Sequence, residues 1–491
     1  AADDVGGTWY WNRYPGARVD IESDHYSYSF SEELEQEWHW TEKFAAQPEI
    51  LSYLNHVADR FDVRRSIRFG TRVTAVTWDD DDQRWHVSLD TGDTVSARFF
   101  VSAAGTLSVP KEVDIPGATS FAGQLLQTGR WPDSADLAGK RVAVIGTGSS
   151  GIQVTSEVAK IAESLTVFQR TPAYATPVRN EPTDSERERE TKAQYRSLRE
   201  QSRNHFVGVP YSDVQPSALA ATDAERAAVY DDRWARGGFR FVFDSFQDVL
   251  FDPAANETAA QYIRDRIRER VHDPATAELL TPKDYPYGSK RPTLEIDYYD
   301  AFNRPNVSLV DVKANPIDRI VSEGVRLVDG TVLEFDAIVL ATGFDAFTGP
   351  LFEMGVVGRD GLTIQEAWRH GPATYLGVAV HGFPNLFLVT GPQSPSVLYN
   401  MPLAIEDHVD FAAGAISHVL AEGAETIEPT DEAQEAGVAR TNEVAERTVI
   451  PLSTTSWYMG ANVPGKPRRV LVYLGGVPDY RQFCADVEAN G

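Results

Sequence analysis

Gly146, Gly148 and Gly151 stand at G-x-G-x-x-G spacing, and the chemistry open to them is phosphate binding. In such a turn the first glycine permits the bend, the second lets a pyrophosphate approach the backbone, and the third lets helix and strand pack closely. The helix N-terminus then faces the phosphates. The spacing alone is common, so its context decides. Arg141 to Ile145 is a short, β-branched-rich run that reads as a buried strand, and Ile152, Val154 and Val158 begin a helical pattern. The next strand, Leu165 to Phe168, ends in Gln169, Arg170 and Thr171, where a ribose-reading residue belongs, roughly 20 residues beyond the glycines. A carboxylate there would accept the 2′-hydroxyl of NAD, whereas an arginine favours the 2′-phosphate of NADP, so NADP(H) is expected.

A second stretch combines rings and charges. Gly6 to Asp20 interleaves Trp9, Tyr10, Trp11 and Tyr14 with Arg13, Arg18 and Asp20, without a clean period, and reads as a loop facing a cofactor or packed on the surface.

These groups need elements to hold them. Pro48 to Phe61 has apolar residues at helical spacing, and Thr71 to Trp78, Arg84 to Leu89 and Thr94 to Val101 read as three strands, with Asp79 to Asp82 a solvated hairpin loop rather than a metal site. Thr183 with Glu186, and Thr222 with Glu225, have capping-box spacing. They open a mostly helical insertion over about 178–286. Strands return at Val307 to Val312, Val325 to Leu327, Ala337 to Gly343 and Leu386 to Gly391. The pattern predicts an α/β protein of two doubly wound dinucleotide-binding (Rossmann-like) domains, with the helical insertion in the NADP domain. Two such domains call for two cofactors, and a flavin is the natural partner of NADP(H), because it accepts a hydride and then does chemistry that nicotinamide cannot.

Composition narrows the classes. The 491 residues carry a formal charge of -26 with no basic stripe, which argues against nucleic acid as a partner. Cys484 is the single cysteine, which excludes an intramolecular disulfide, a cysteine-based zinc cluster and a dithiol redox pair, and fits a reducing cytoplasm. No apolar run is long enough to span a bilayer.

The chain resembles the type I Baeyer-Villiger monooxygenases, the phenylacetone and cyclohexanone monooxygenase branch in particular. Gly6, Gly7, Trp9, Tyr14, Pro15, Gly16 and Asp20 complete one long family motif. Phe121, Gly123, Trp131 and Pro132 match a second, in the segment linking the domains, whose histidine position holds Gln127. Gly146 to Gly151, Phe168 to Pro172, Gly288 to Arg291, Ala341 to Asp345 and Trp457 to Lys466 are also similar, so the resemblance spans essentially the whole chain.

The resemblance implies an FAD-binding domain over 1–106 and 344–491 and an NADP-binding domain over 107–343. It implies that NADPH reduces FAD, that the reduced flavin captures O2 as a C4a-peroxyflavin, and that one oxygen atom is inserted beside a ketone carbonyl to give an ester or lactone. Arg291 matches the catalytic arginine, and Asp20 the carboxylate that orients it. Cofactor contacts are implied for Gly6, Gly7, Thr8, Trp9, Tyr14, Pro15 and Asp20, for Gly146, Thr147, Gly148, Ser149, Ser150 and Gly151, and for Ala341, Thr342 and Gly343. Arg170, Thr171 and Lys290 are implied for the 2′-phosphate, and Trp457 for a loop over the nicotinamide ribose. Pro395, Ser396, Val397, Leu398 and Met401 are implied to line the substrate. Gln127, which cannot become a cation near neutral pH, departs from the family. The strand, turn and acidic residue that hold the ADP half of FAD would precede Ala1, so the natural protein is expected to contain earlier residues. No metal, nucleic acid or membrane is expected, and a monomer or weak oligomer is. The alternatives are oxygenation of nitrogen or sulfur by a related flavin monooxygenase, and a non-catalytic NADP-binding relic without its flavin unit.

Overall fold

The computed structural model describes residues 1–112 and 114–490. Its central feature is a five-stranded parallel sheet, in the order Val307–Asp311, Ser164–Gln169, Arg141–Ile145, Ala337–Leu340 and Gln124–Gln127. The strand side chains alternate between faces, and both faces are covered, as a parallel sheet requires. Val142, Val144, Leu165, Val167 and Val339 pack on one side, with Ile152, Val154 and Val158 of the helix Ser149–Ile161. Ala143, Ile145, Phe168, Ile338 and Leu340 pack on the other, beneath a three-stranded antiparallel sheet (Ile317–Val321, Gly324–Leu327, Val332–Glu334) that supplies Ile320, Val325 and Leu327.

The helical insertion contains Ser185–Arg203, Asp223–Arg236, Pro253–Arg270 and Pro274–Leu280. Thr222 and Glu225 form a reciprocal capping box. At the other expected cap the structure differs: Asp184, not Thr183, takes the position, and its carboxylate accepts from the Glu186 amide. The insertion shares one core with the N-terminal segment, where Val207, Phe239 and Phe241 join Tyr14, Val19, Ile21 and Phe44.

A second region is built around Val73–Asp79, Arg84–Leu89 and Thr94–Ala97, with Val356–Val357 added in parallel. Thr94 to Val101, expected as one strand, is two. Thr94–Ala97 ends the antiparallel sheet, and Phe100–Ser102 pairs in parallel with Leu386–Leu388. Asp80 to Gln83 form the hairpin turn. The helix Gln47–Arg60 buries Ile50, Tyr53, Val57 and Ala58, while Phe61 caps it in an exposed position. Three helices, Met401–Glu422, Asp431–Glu446 and Val477–Asn490, complete the C-terminal part. Among the described residues, no helix is long and apolar enough to cross a membrane.

Candidate active site

The turn after Arg141–Ile145 is held by backbone geometry. Gly146 has φ 114°, and a Cβ there would lie 2.4 Å from the Ala341 carbonyl oxygen; one on Gly151 would lie 2.1 Å from the Gly146 oxygen. Both positions therefore exclude any side chain. A Cβ on Gly148 would meet nothing within 4 Å, so this residue leaves its backbone bare to the adjoining space. The helix that follows has no side-chain cap, and its first amides are free for an anion. Thr147 Oγ1 donates to the Thr171 carbonyl at 2.8 Å, tying the turn to the end of the neighbouring strand.

These residues open onto a cavity of about 690 Å³. Arg18, Lys111, Arg170, Lys290 and Arg291 stand on its walls, and Asp20 is the one carboxylate among the described lining residues. Lys290 lies 4.1 Å over the Tyr285 ring. Burial, helped by the Arg170 charge, pushes its ammonium down to about 8. Lys111 is lowered for the same two reasons. Cations held so at a cost accept a phosphate readily. The Thr342 hydroxyl, also on the wall, is buried without a hydrogen-bond partner among the described residues.

The loop ending at Asp20 is anchored to the nucleotide helix. Tyr14 donates its hydroxyl to Gln153 Oε1 at 2.9 Å, and Gln153 Nε2 donates to the Arg18 carbonyl at 3.2 Å. Burial raises the phenols of Tyr14 and Tyr26 to about 12, so both stay protonated at neutral pH. Across the cavity wall, Arg291 Nε and Nη2 each donate to one oxygen of Asp20 at 2.9 Å, a two-point pairing. Arg291 Nη1 donates to the Val397 carbonyl. Burial works against the Arg291 charge, but the charge and hydrogen bonds of Asp20 outweigh it and hold the guanidinium protonated above its ordinary range.

Of the residues named from sequence, Thr8, Trp9, Tyr14, Asp20, Gly146, Thr147, Gly148, Ser149, Ser150, Arg170, Thr171, Lys290, Arg291, Ala341, Thr342, Gly343, Val397, Met401 and Trp457 line this one cavity. Gly6, Gly7, Pro15, Gly151, Pro395, Ser396 and Leu398 do not line it. Nor do Phe121, Gly123, Gln127 and Trp131. Gln127 closes the edge strand and donates Nε2 to the Lys111 carbonyl at 2.9 Å, so it supports a residue of the wall without reaching the cavity. Sequence reasoning missed Lys111, Gln153, Tyr26 and Tyr399, which also line it. Gln153, two residues beyond the last glycine of the turn, was the one of these with a local signal.

A family model described as pyridine nucleotide-disulphide oxidoreductase matches residues 23–263. A Baeyer-Villiger monooxygenase of Pseudooceanicola batsensis is 42% identical over 492 residues, covering 100% of this chain and 89% of that protein. A phenazine N-monooxygenase of Lysobacter antibioticus is 40% identical, covering 99% of this chain and 89% of its own. Among solved structures, an oxidized steroid monooxygenase bound to NADP superposes with a TM-score of 0.94 at 49% identity, over 100% of this chain and 92% of that one.

Proposed function

The chain belongs to the Baeyer-Villiger monooxygenases, which depend on NADPH and FAD, and from that premise we propose the part each residue of the cavity plays. Residues 107–343 bind NADP(H), and 1–106 with 344–491 bind FAD. When bound, NADPH and FAD supply the reducing equivalents and the centre at which O2 is activated.

The chain's own groups do the rest. The uncapped N-terminus of Ser149–Ile161 receives a pyrophosphate, and Arg170 with Lys290 receives the 2′-phosphate. Arg291 offers an N–H that neither Asp20 nor Val397 takes to the ketone oxygen, which gains negative charge as the oxygen atom is delivered. Asp20 fixes the plane of that guanidinium, and Val397 fixes its far end. Trp9, Tyr26, Val397 and Trp457 exclude water around it, which strengthens the charge interaction. The substrate is a ketone, and the protein acts as a monomer or weak oligomer in the cytoplasm, a location that fits its single cysteine.

The two-point Arg291–Asp20 pairing on the wall of a cation-rich cavity carries this reading. Arg291→Ala should still let NADPH bleach the flavin, while ester formation falls by about 10²–10³-fold. Ester formation at the original rate would remove Arg291 from the chemistry. The phenazine N-monooxygenase relative supports one second reading, oxygenation of an aromatic nitrogen. Such a reaction develops no carbonyl oxyanion, so N-oxide formation by this protein would be insensitive to Arg291→Ala.

A further inference from the structure

Asp20 takes two N–H groups of Arg291 and Val397 takes a third. A guanidinium has five, so two remain. The Phe239 ring lies 4.9 Å from Arg291 Cζ and offers a face but no acceptor oxygen. On the side away from the cavity, Tyr458 is a polar neighbour of Arg291. It is fully buried, and its hydroxyl has no hydrogen-bond partner among the described residues. With Gly288, Pro292 and Leu398, which flank Arg291 and Val397, it walls a small void of about 20 Å³. Tyr458 does not reach the main cavity. Burial pushes its phenol up to about 12, and the adjacent Arg291 charge pulls the other way.

The phenol is held by its own turn. Tyr458 N–H donates to Ser456 Oγ at 3.3 Å, its carbonyl accepts from Leu471 N–H at 2.8 Å, and Arg469 N–H donates to the Met459 carbonyl at 3.1 Å. Val397, Tyr458, Met459 and Leu471 share one buried cluster. The preceding residue, Trp457, is on the cavity wall and stacks on Phe347 with ring centroids 6.0 Å apart. One turn thus presents Trp457 to the cavity and Tyr458 to the rear of Arg291.

We propose that Tyr458 is a positioning residue for Arg291: its hydroxyl oxygen accepts one of the two N–H groups left by Asp20 and Val397, so one stays free for a carbonyl oxygen and the guanidinium is fully oriented only when the Trp457–Met459 turn is seated. A guanidinium has donors only, so the phenol oxygen must be the acceptor. Removing it frees Arg291 to rotate about the Asp20 pairing, and a displacement of about 1 Å at a charge-stabilising group is enough to slow a reaction.

This inference rests on the reading of Arg291 given above. The test compares FAD-loaded wild type, Tyr458→Phe and Arg291→Ala. In Tyr458→Phe, flavin reduction by NADPH and the rise in melting temperature caused by NADP⁺ should match wild type, which shows the turn still seated. Its kcat for ester should fall roughly tenfold, the loss of one hydrogen bond to a charged group, with the ketone KM unchanged and hydrogen peroxide released in place of ester. Wild-type kcat and coupling in Tyr458→Phe, beside a dead Arg291→Ala, would overturn the proposal alone. A fall confined to KM, or to the NADP⁺-induced melting shift, would also overturn it, since that marks a packing role for the ring. Full ester formation by Arg291→Ala would remove the reading of Arg291 and this proposal with it.

Discussion

Among the described residues, five cations and one carboxylate line a cavity inside a chain whose net charge is -26, so the local charge balance is opposite in sign to that of the whole molecule. Such an inversion is costly unless a ligand supplies the missing negative charge, and a dinucleotide phosphate does so. Lys290 makes this measurable. Its folded pKa is depressed to about 8, so it is a cation below that pH and neutral above it. Preference for NADPH over NADH should therefore hold at pH 7 and decline as pH rises through 8, while the NADH KM stays flat. Lys290→Met should raise the NADPH KM about tenfold at pH 7, the worth of a charge-assisted hydrogen bond, and remove that pH dependence. Steady-state kinetics with the two coenzymes would show it. An unchanged NADPH KM would take Lys290 out of the 2′-phosphate site.

At the scale of elements, the strand, turn and helix from Arg141 to Ile161 were legible because local chemistry dictates them: an apolar run, glycines where no Cβ fits, and a helical apolar period. Gly151→Val would drive its Cβ into the Gly146 carbonyl, so a lower melting temperature by the equivalent of about 1–3 kcal/mol, with loss of NADP⁺ binding, is expected from calorimetry. Elements defined by distant partners were not legible. Thr94 to Val101 looks continuous, yet its second half belongs to a strand partner at Leu386–Leu388, nearly three hundred residues on. Gln124–Gln127 is too short and polar-ended to read as a strand, and exists because Ala337–Leu340 offers it an edge. Thr183 lost the cap to Asp184 because two acceptors adjoined the same helix start, and spacing alone does not rank them. The site divides the same way. Asp20 and Arg291, 271 residues apart, were named through the resemblance, Asp20 by the long Gly6–Asp20 motif and Arg291 by the shorter Gly288–Arg291 block. Lys111 belongs to neither, and only the fold brings it to the wall.

Across the whole molecule, the N-terminal segment and the helical insertion are joined by a buried ion pair. Arg199 Nε donates to Glu35 Oε1 at 2.8 Å, Nη1 to the His25 carbonyl at 3.0 Å, and Nη2 to Ser27 Oγ at 2.7 Å. Both side chains are almost fully buried, at 5% and 6% exposure. Burial raises the Glu35 pKa, and Arg199 opposes that shift. Arg199→Met should cost about 3–5 kcal/mol at neutral pH, because it strands a buried carboxylate. With the cation gone the folded pKa rises further, so the buried carboxyl takes up its proton at a higher pH and carries no stranded charge once it has. The loss should therefore shrink toward pH 5 and grow as pH rises, which urea unfolding at several pH values would read. A pH-independent loss would mean that Arg199 acts by packing alone. These contacts tie the segment that follows Asp20 to the insertion that precedes Arg291, and the account stands on what Asp20 and Arg291 do together. The most direct test is to supply the full-length, FAD-loaded protein with NADPH, a simple ketone and ¹⁸O2, and to weigh the product. The account predicts an ester or lactone containing one ¹⁸O atom, formed in step with NADPH consumed. NADPH oxidation that returns all the oxygen as hydrogen peroxide, with no labelled ester, would contradict it.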